Sequence, residues 1–201
     1  MLMGIDYSYE VFVPARNVTR ALTELAALAP TTSRRPPVTV TLPGGDEVAL
    51  PFTSHYESGP VDCSTGGTLD LDTTIMVGVD DDAMREFAKP HDWERAERGR
   101  IPVGYVYLTV RCATRWHPGY ASLDFTAATT GMSLAFERSA SIRAVFTGLT
   151  AASGGVCCVL DTEEATRQIC WLNGEPTRET VPGPRFADYR ALAASWPAQE
   201  P

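Results

Sequence analysis

The chain has 201 residues, of which 44% are hydrophobic and 21% charged, and a formal net charge of −8. That apolar share is enough for a real core and argues against wholesale disorder. The acidic balance weighs against nucleic acid, whose phosphates call for concentrated Lys and Arg, and is more simply a solubility feature.

The 17 basic residues are sixteen Arg and a single Lys, Lys89, which reads as a compositional bias of the parent genome. The local basic candidates are Arg34-Arg35 and the group Arg95, Arg98 and Arg100, which Glu94 and Glu97 dilute. No stretch approaches the ~18 apolar residues that a membrane span requires. The N-terminus shows no basic region followed by an apolar run of signal-peptide length. From Met3 onward, Gly4 to Ser8 matches a myristoylation pattern, although the approach to a first strand accounts for the same residues. Five cysteines, an odd number, point to reduced thiols and a cytoplasmic setting.

In chain order, residues 6–13 alternate as a strand, and 15–29 carry Val18, Leu22, Leu25 and Leu28 at helical spacing. Pro14 suits the start of that helix and Pro30 its end. A polar loop over 31–37 leads to a hairpin in which Val38, Val40 and Leu42 oppose Val48, Leu50 and Phe52 across Pro43-Gly44-Gly45-Asp46. Residues 68–79 predict a long strand, and Asp80-Asp81-Asp82 opens a short helix with Asp80 as its cap. The clearest strand is 103–112, with Val106, Leu108, Val110 and Cys112 on one face and an antiparallel partner beyond residues 116–120.

Residues 120–127 predict a strand, 131–149 a helix with Leu134, Ile142, Val145, Phe146 and Leu149 in one stripe, and 156–161 with 167–172 a second hairpin. Cys157 and Cys158, adjacent in that strand, should point to opposite faces. From Glu175 the chain turns Pro-rich, with a peripheral helix expected over 185–196 and a disordered tail over 197–201.

A strand–helix–hairpin order therefore occurs twice. The expected fold is α+β: duplicated β-α-β-β units forming a mostly antiparallel or mixed sheet of about eight strands with two main helices. A single domain spans 1–174, with similar halves at about 5–55 and 119–174, a central strand-rich insert, and an extension over 175–201. This order of elements resembles the effector-binding fold of the gyrase-inhibitor and SOUL haem-binding proteins. The resemblance lies in element order alone and carries over no residues.

Gly131-Met132-Ser133-Leu134-Ala135, between a strand and a helix, approaches a nucleophile elbow. Ala135 replaces the second Gly, and His55, His91 and His117 all precede Ser133, so helix capping by Thr129, Thr130 and Ser133 explains the segment better. His55-Tyr56-Glu57 has the His-x-Glu of zinc deaminases but lacks their Pro-Cys-x-x-Cys, and no Cys or His pair has structural-zinc spacing. Asp70, Asp72 and Asp80–Asp82 fail the EF-hand pattern at Ile75 and Asp81. The Gly doublets lack the spacing of phosphate-cradling loops. No catalytic residue, metal or cofactor is expected.

The remaining ligand-binding candidates are Tyr7 and Tyr9 on one strand, Tyr105 and Tyr107 on another, and Asp124 beside them. Tyr rings combine apolar area with a polar tip, although cross-strand packing on a half-exposed face explains them more simply. The expectation is a non-catalytic module binding an unknown small molecule or protein, with no nucleic-acid or membrane partner. One alternative is a small cytosolic enzyme built from His55, Glu57, Asp124 and Ser133. The other is a self-associating structural protein, and a homodimer is compatible with the binding reading as well.

Overall fold

The computed structural model describes residues 5–31, 36–55, 59–90, 98–114, 117–183 and 190–199. Among the described residues the chain is mixed α and β, with five α-helices and a nine-stranded antiparallel sheet. The strands of that sheet are β1 (Ser8–Pro14), β4 (Thr53–Ser54), β6 (Thr68–Gly78), β7 (Arg100–Arg111), β8 (Tyr120–Ala127), β9 (Cys157–Asp161), β10 (Thr166–Leu172), β11 (Glu175–Pro176) and β12 (Thr180–Pro182). They run in the order β11-β10-β9-β1-β8-β7-β6-β4, with β12 also on β10. A separate three-stranded sheet holds β2 (Val38–Thr41) between β3 (Glu47–Leu50) and β5 (Val61–Asp62). The expected count of about eight strands is exceeded because β4, β5 and β11 are two-residue bridges, too short to show a period.

The predicted hairpins both form, but they lie in different places. β9–β10 extends the large sheet, whereas β2–β3 leaves it for the small one. The strand at 103–112 forms as β7, antiparallel to β8 as expected. A register shift at Thr73/Thr74 makes Tyr105 a bulge residue with φ 59°.

The first four helices cover one face of the sheet. The helix expected over 15–29 is a 3-10 turn at Ala15–Asn17 followed by α1 (Val18–Ala26). Asp81, not Asp80, caps α2 (Asp82–Ala88), accepting from the Met84 amide at 2.8 Å. The helix expected over 131–149 is two helices, α3 (Thr130–Arg138) and α4 (Ala140–Ala152). Ser139 separates them because its backbone is extended (ψ 122°) and its hydroxyl accepts from the Ile142 amide at 3.0 Å. Gly154, at φ 68°, then ends α4 and lets Val156 N donate to Phe12 O at 2.9 Å, seating β9 beside β1.

The main core lies between helices and sheet. Tyr9, Phe125, Phe136 and Phe146 are fully buried there, with Tyr9 stacked on Phe146 at 4.3 Å between centroids. A second, smaller core forms on the opposite face, where α5 (Arg190–Ala193) and Trp196 cover Phe12, Tyr120, Cys157, Val159 and Ile169. The expected disordered tail is packed as far as Gln199: Tyr120 Oη donates to Pro197 O at 2.6 Å, and Gln199 Nε2 donates to Tyr120 Oη at 2.6 Å. The first part of the helix expected over 185–196 lies outside the described residues, as do Arg34, Arg35, Glu57, His91 and Arg95. Among the described residues, no helix is long and apolar enough to cross a membrane.

Candidate functional site

The five candidate residues from the sequence are divided between the two faces of the large sheet. Tyr9 is buried in the helix-side core, where its hydroxyl donates to Phe136 O at 3.0 Å and burial pushes its pKa far up. Tyr7 packs against the same core. Asp124 and Tyr107 lie on the other face, Tyr107 42% exposed and edge-on to His55 with centroids 5.4 Å apart. Tyr105, at the bulge, is 62% exposed. The tyrosines therefore do not line a common pocket.

That polar face carries a row of ionisable groups. Glu10 of β1 pairs in register with Asp124 of β8, which pairs with Thr109 of β7. Thr109 Oγ1 donates in turn to Asp70 Oδ1 on β6 at 2.6 Å. Burial, then the neighbouring Asp124, raises the Glu10 pKa to about 7, with Arg111 opposing the shift. Burial also raises the Asp124 pKa against the pull of Arg111, whose Nη1 is 3.6 Å from Asp124 Oδ2. Among the described residues, Asp124 Oδ1 is buried without a hydrogen-bond partner. His55 Nδ1 pairs with Asp72 Oδ1 at 2.9 Å. Among the described residues, no group of three His, Cys, Asp or Glu side chains is placed to hold a metal ion.

Ser133 works in the fold. Its hydroxyl donates to Ile5 O at 2.7 Å and accepts from Tyr7 N at 3.2 Å, latching the entry of β1 onto α3. The serine is fully buried on the helix side, away from the face that bears Asp124. Thr129, whose side chain accepts from Met132 N at 3.2 Å, is the helix cap.

An open groove runs between α4 and the edge formed by β10 and β11. Its volume is about 470 Å³, and it is lined by Ala140, Arg143, Ala144, Thr147, Cys170, Pro176, Thr177 and Arg178. The helix contributes positions i, i+3, i+4 and i+7, a single stripe of the α4 surface. The small Ala140 and Ala144 leave space, while Arg143 and Thr147 supply polar groups. Arg143 Nη2 donates to Gln168 Oε1 at 2.7 Å, which orients the guanidinium while leaving other donors available. Thr177 N donates to Cys170 O at 3.1 Å and holds the segment bearing Arg178 against β10.

Among the described residues, neither Arg143 nor Arg178 has a carboxylate within ion-pair distance. In a chain of net charge −8, two such cations at one groove form a local positive field against the overall charge. Neither residue stands out in the sequence, because the two guanidiniums lie far apart along the chain. The available signal was the second stripe of α4, small and polar at 140, 143, 144 and 147, beside the apolar stripe that anchors the helix.

No protein-family model, curated protein or solved structure matches this chain.

Proposed function

We propose that this protein is a non-catalytic binding module whose groove between α4 and β10–β11 takes a small molecule bearing a carboxylate or phosphate group. The observation that carries this reading is the convergence on one groove of Arg143 and Arg178, which have no carboxylate partner among the described residues. Guanidiniums bind planar or tetrahedral oxyanions through paired N–H donors, and Thr147 and Thr177 add hydroxyls nearby. The groove volume falls in the usual range for small-ligand sites, ~300–1,000 Å³.

The same reading includes cytoplasmic residence, supported by five free cysteines, four of them buried. It also retains the idea of two related halves. Support for that comes from the antiparallel pairing of β1 with β8, each followed by a helix and a hairpin; the different placement of the two hairpins sets the halves apart.

The test is titration of the full chain with inorganic phosphate and with succinate, followed by calorimetry. Saturable binding of one probe is expected, weakened roughly tenfold or more by Arg143→Gln or Arg178→Gln and reduced by added salt. Binding that both variants leave unchanged, or no binding of either probe, would overturn the proposal.

A further inference from the structure

One thiol of a neighbouring pair lines the groove. Cys170 lines the groove, and Cys158 lies on the neighbouring strand β9. The register between β9 and β10 runs Ile169↔Val159 and then Trp171↔Cys158, leaving Cys170 as the extra residue of a bulge. In a bulge two residues oppose one, so Cys170 and Trp171 together face Cys158. Both thiols fall in the helix-side core, where the bulge turns Cys170 toward Cys158, and Cys170 Sγ donates to Gln168 O at 3.7 Å. Cys157, one position earlier, points into the second core on the opposite face. Of the two adjacent cysteines, the pleat brings only Cys158 to Cys170.

We infer that Cys170 and Cys158 are a pair of thiols that peroxide converts to a disulfide, with Cys170 the thiol that reacts with a peroxide entering through the groove and Cys158 the thiol that resolves it. The inference needs the groove only as an opening, so it stands whether or not an anion binds there.

The surroundings divide the two roles. Arg143 lines the same groove, and the facing Cys158 thiol together with the Arg143 charge lowers the Cys170 pKa against the effect of burial. Burial, and then the facing Cys170 thiol, holds the Cys158 thiol well above its usual range. Thiolate is the nucleophilic form, so Cys170 is the partner equipped to attack first. Burial pushes the remaining thiols the other way where a shift is defined: Cys157 far up, and Cys112 up, with Cys63 adding to it.

The chemistry balances with hydrogen peroxide as the oxidant. The Cys170 sulfur attacks one peroxide oxygen; an S–O bond forms, the O–O bond breaks, and hydroxide leaves and is protonated to water. Cys170 is then a sulfenic acid. Cys158 gives up its proton and its sulfur attacks the Cys170 sulfur; the S–S bond forms, the S–O bond breaks, and a second water leaves. Two thiols and one peroxide become one disulfide and two waters. The product ties β9 to β10 at the groove that Arg143 also lines.

The experiment exposes the reduced full chain to one equivalent of hydrogen peroxide, alkylates the residual thiols, and maps the products by mass spectrometry. The first product expected is a linked pair of peptides containing Cys158 and Cys170, with two thiols lost per chain. Cys158→Ser should accumulate sulfenic acid at Cys170, trapped by dimedone. Cys170→Ser should leave Cys158 alkylated at the same dose. Arg143→Gln should slow the loss of the Cys170 thiol severalfold. A Cys63–Cys112 linkage forming first, thiol loss in Cys170→Ser equal to that of the parent chain, or no oxidation at that dose would each overturn the inference. Should Cys158→Ser fail to fold, the linkage map of the parent chain decides alone.

Discussion

Ser139 Oγ donates to Asp81 Oδ2 at 2.8 Å across 58 positions of sequence, and the same carboxylate oxygen accepts from Ser141 N at 2.8 Å. Asp81 Oδ1 meanwhile accepts from Met84 N. One side chain therefore caps α2 and also holds the first turn of α4, the helix that carries Arg143. Burial acts to raise the Asp81 pKa, but the hydrogen bonds from Ser141, Met84 and Ser139 outweigh it and bring it to about 2.

Asp81→Ala should lower stability at neutral pH by about 1–2 kcal/mol, the size of a lost cap. Because the folded-state pKa is depressed, the contribution of Asp81 is complete above the ordinary Asp value and is lost as pH falls from about 4 to about 2. Urea unfolding of both chains across that range checks this: their stabilities should converge at the acid end. A gap that stays constant with pH would show that the carboxylate is not the active group.

Glu10 has the opposite sign. Its folded-state pKa is raised from 4.5 to about 7, so the folded state holds a proton that the unfolded state has released. Stability should fall as pH rises from about 4.5 to 7 and level off above that. The charged groups around Glu10 are Asp124 on β8, Arg111 on β7 and Arg167 on β10. Glu10→Gln should be more stable than the parent at pH 8, on the order of 2 kcal/mol, since the half-buried position leaves part of the charge to solvent. Chemical denaturation at pH 5 and pH 8 measures the difference.

Ser133→Ala removes a hydroxyl that bonds Ile5 O and Tyr7 N. Leaving those backbone groups unpaired should cost about 1–3 kcal/mol while any ligand binding by the folded protein persists. Loss of binding in a fully folded variant would give the serine a role beyond the latch.

Trp196 is 5% exposed and packs on Phe12 at 4.8 Å and Tyr120 at 5.0 Å between ring centroids. Trp196→Ala should cost about 3 kcal/mol or more, as expected for truncating a large buried aromatic. A thermal melt shifted by less than a degree would show that the C-terminal segment is dispensable to the core.

Much of the fold was legible because it follows from local periodicity. Alternation in 6–13 and 103–112 marked central strands, and the stripe of Ile142, Val145, Phe146 and Leu149 marked the buried side of α4. The break at Ser139 was less legible. Both flanking helices continue the apolar pattern, and only the cap geometry divides them. The groove was not legible, because its parts come from a helix, a bulge and a hairpin edge whose meeting depends on how β10 pairs.

Composition and periodicity determined, without further help, that this chain builds a mostly antiparallel or mixed sheet with amphipathic helices on it. Burial of apolar side chains depends on spacing along the chain, and spacing is visible in the letters. Tertiary structure alone decided that Tyr9 is core while Asp124 faces away, that the C-terminal segment seals the second face, and that Arg143, Arg178 and Cys170 share a groove. Those outcomes depend on strand order and on a one-residue bulge. A shift of one position reverses which face a side chain occupies, so they follow from long-range pairing and not from local pattern.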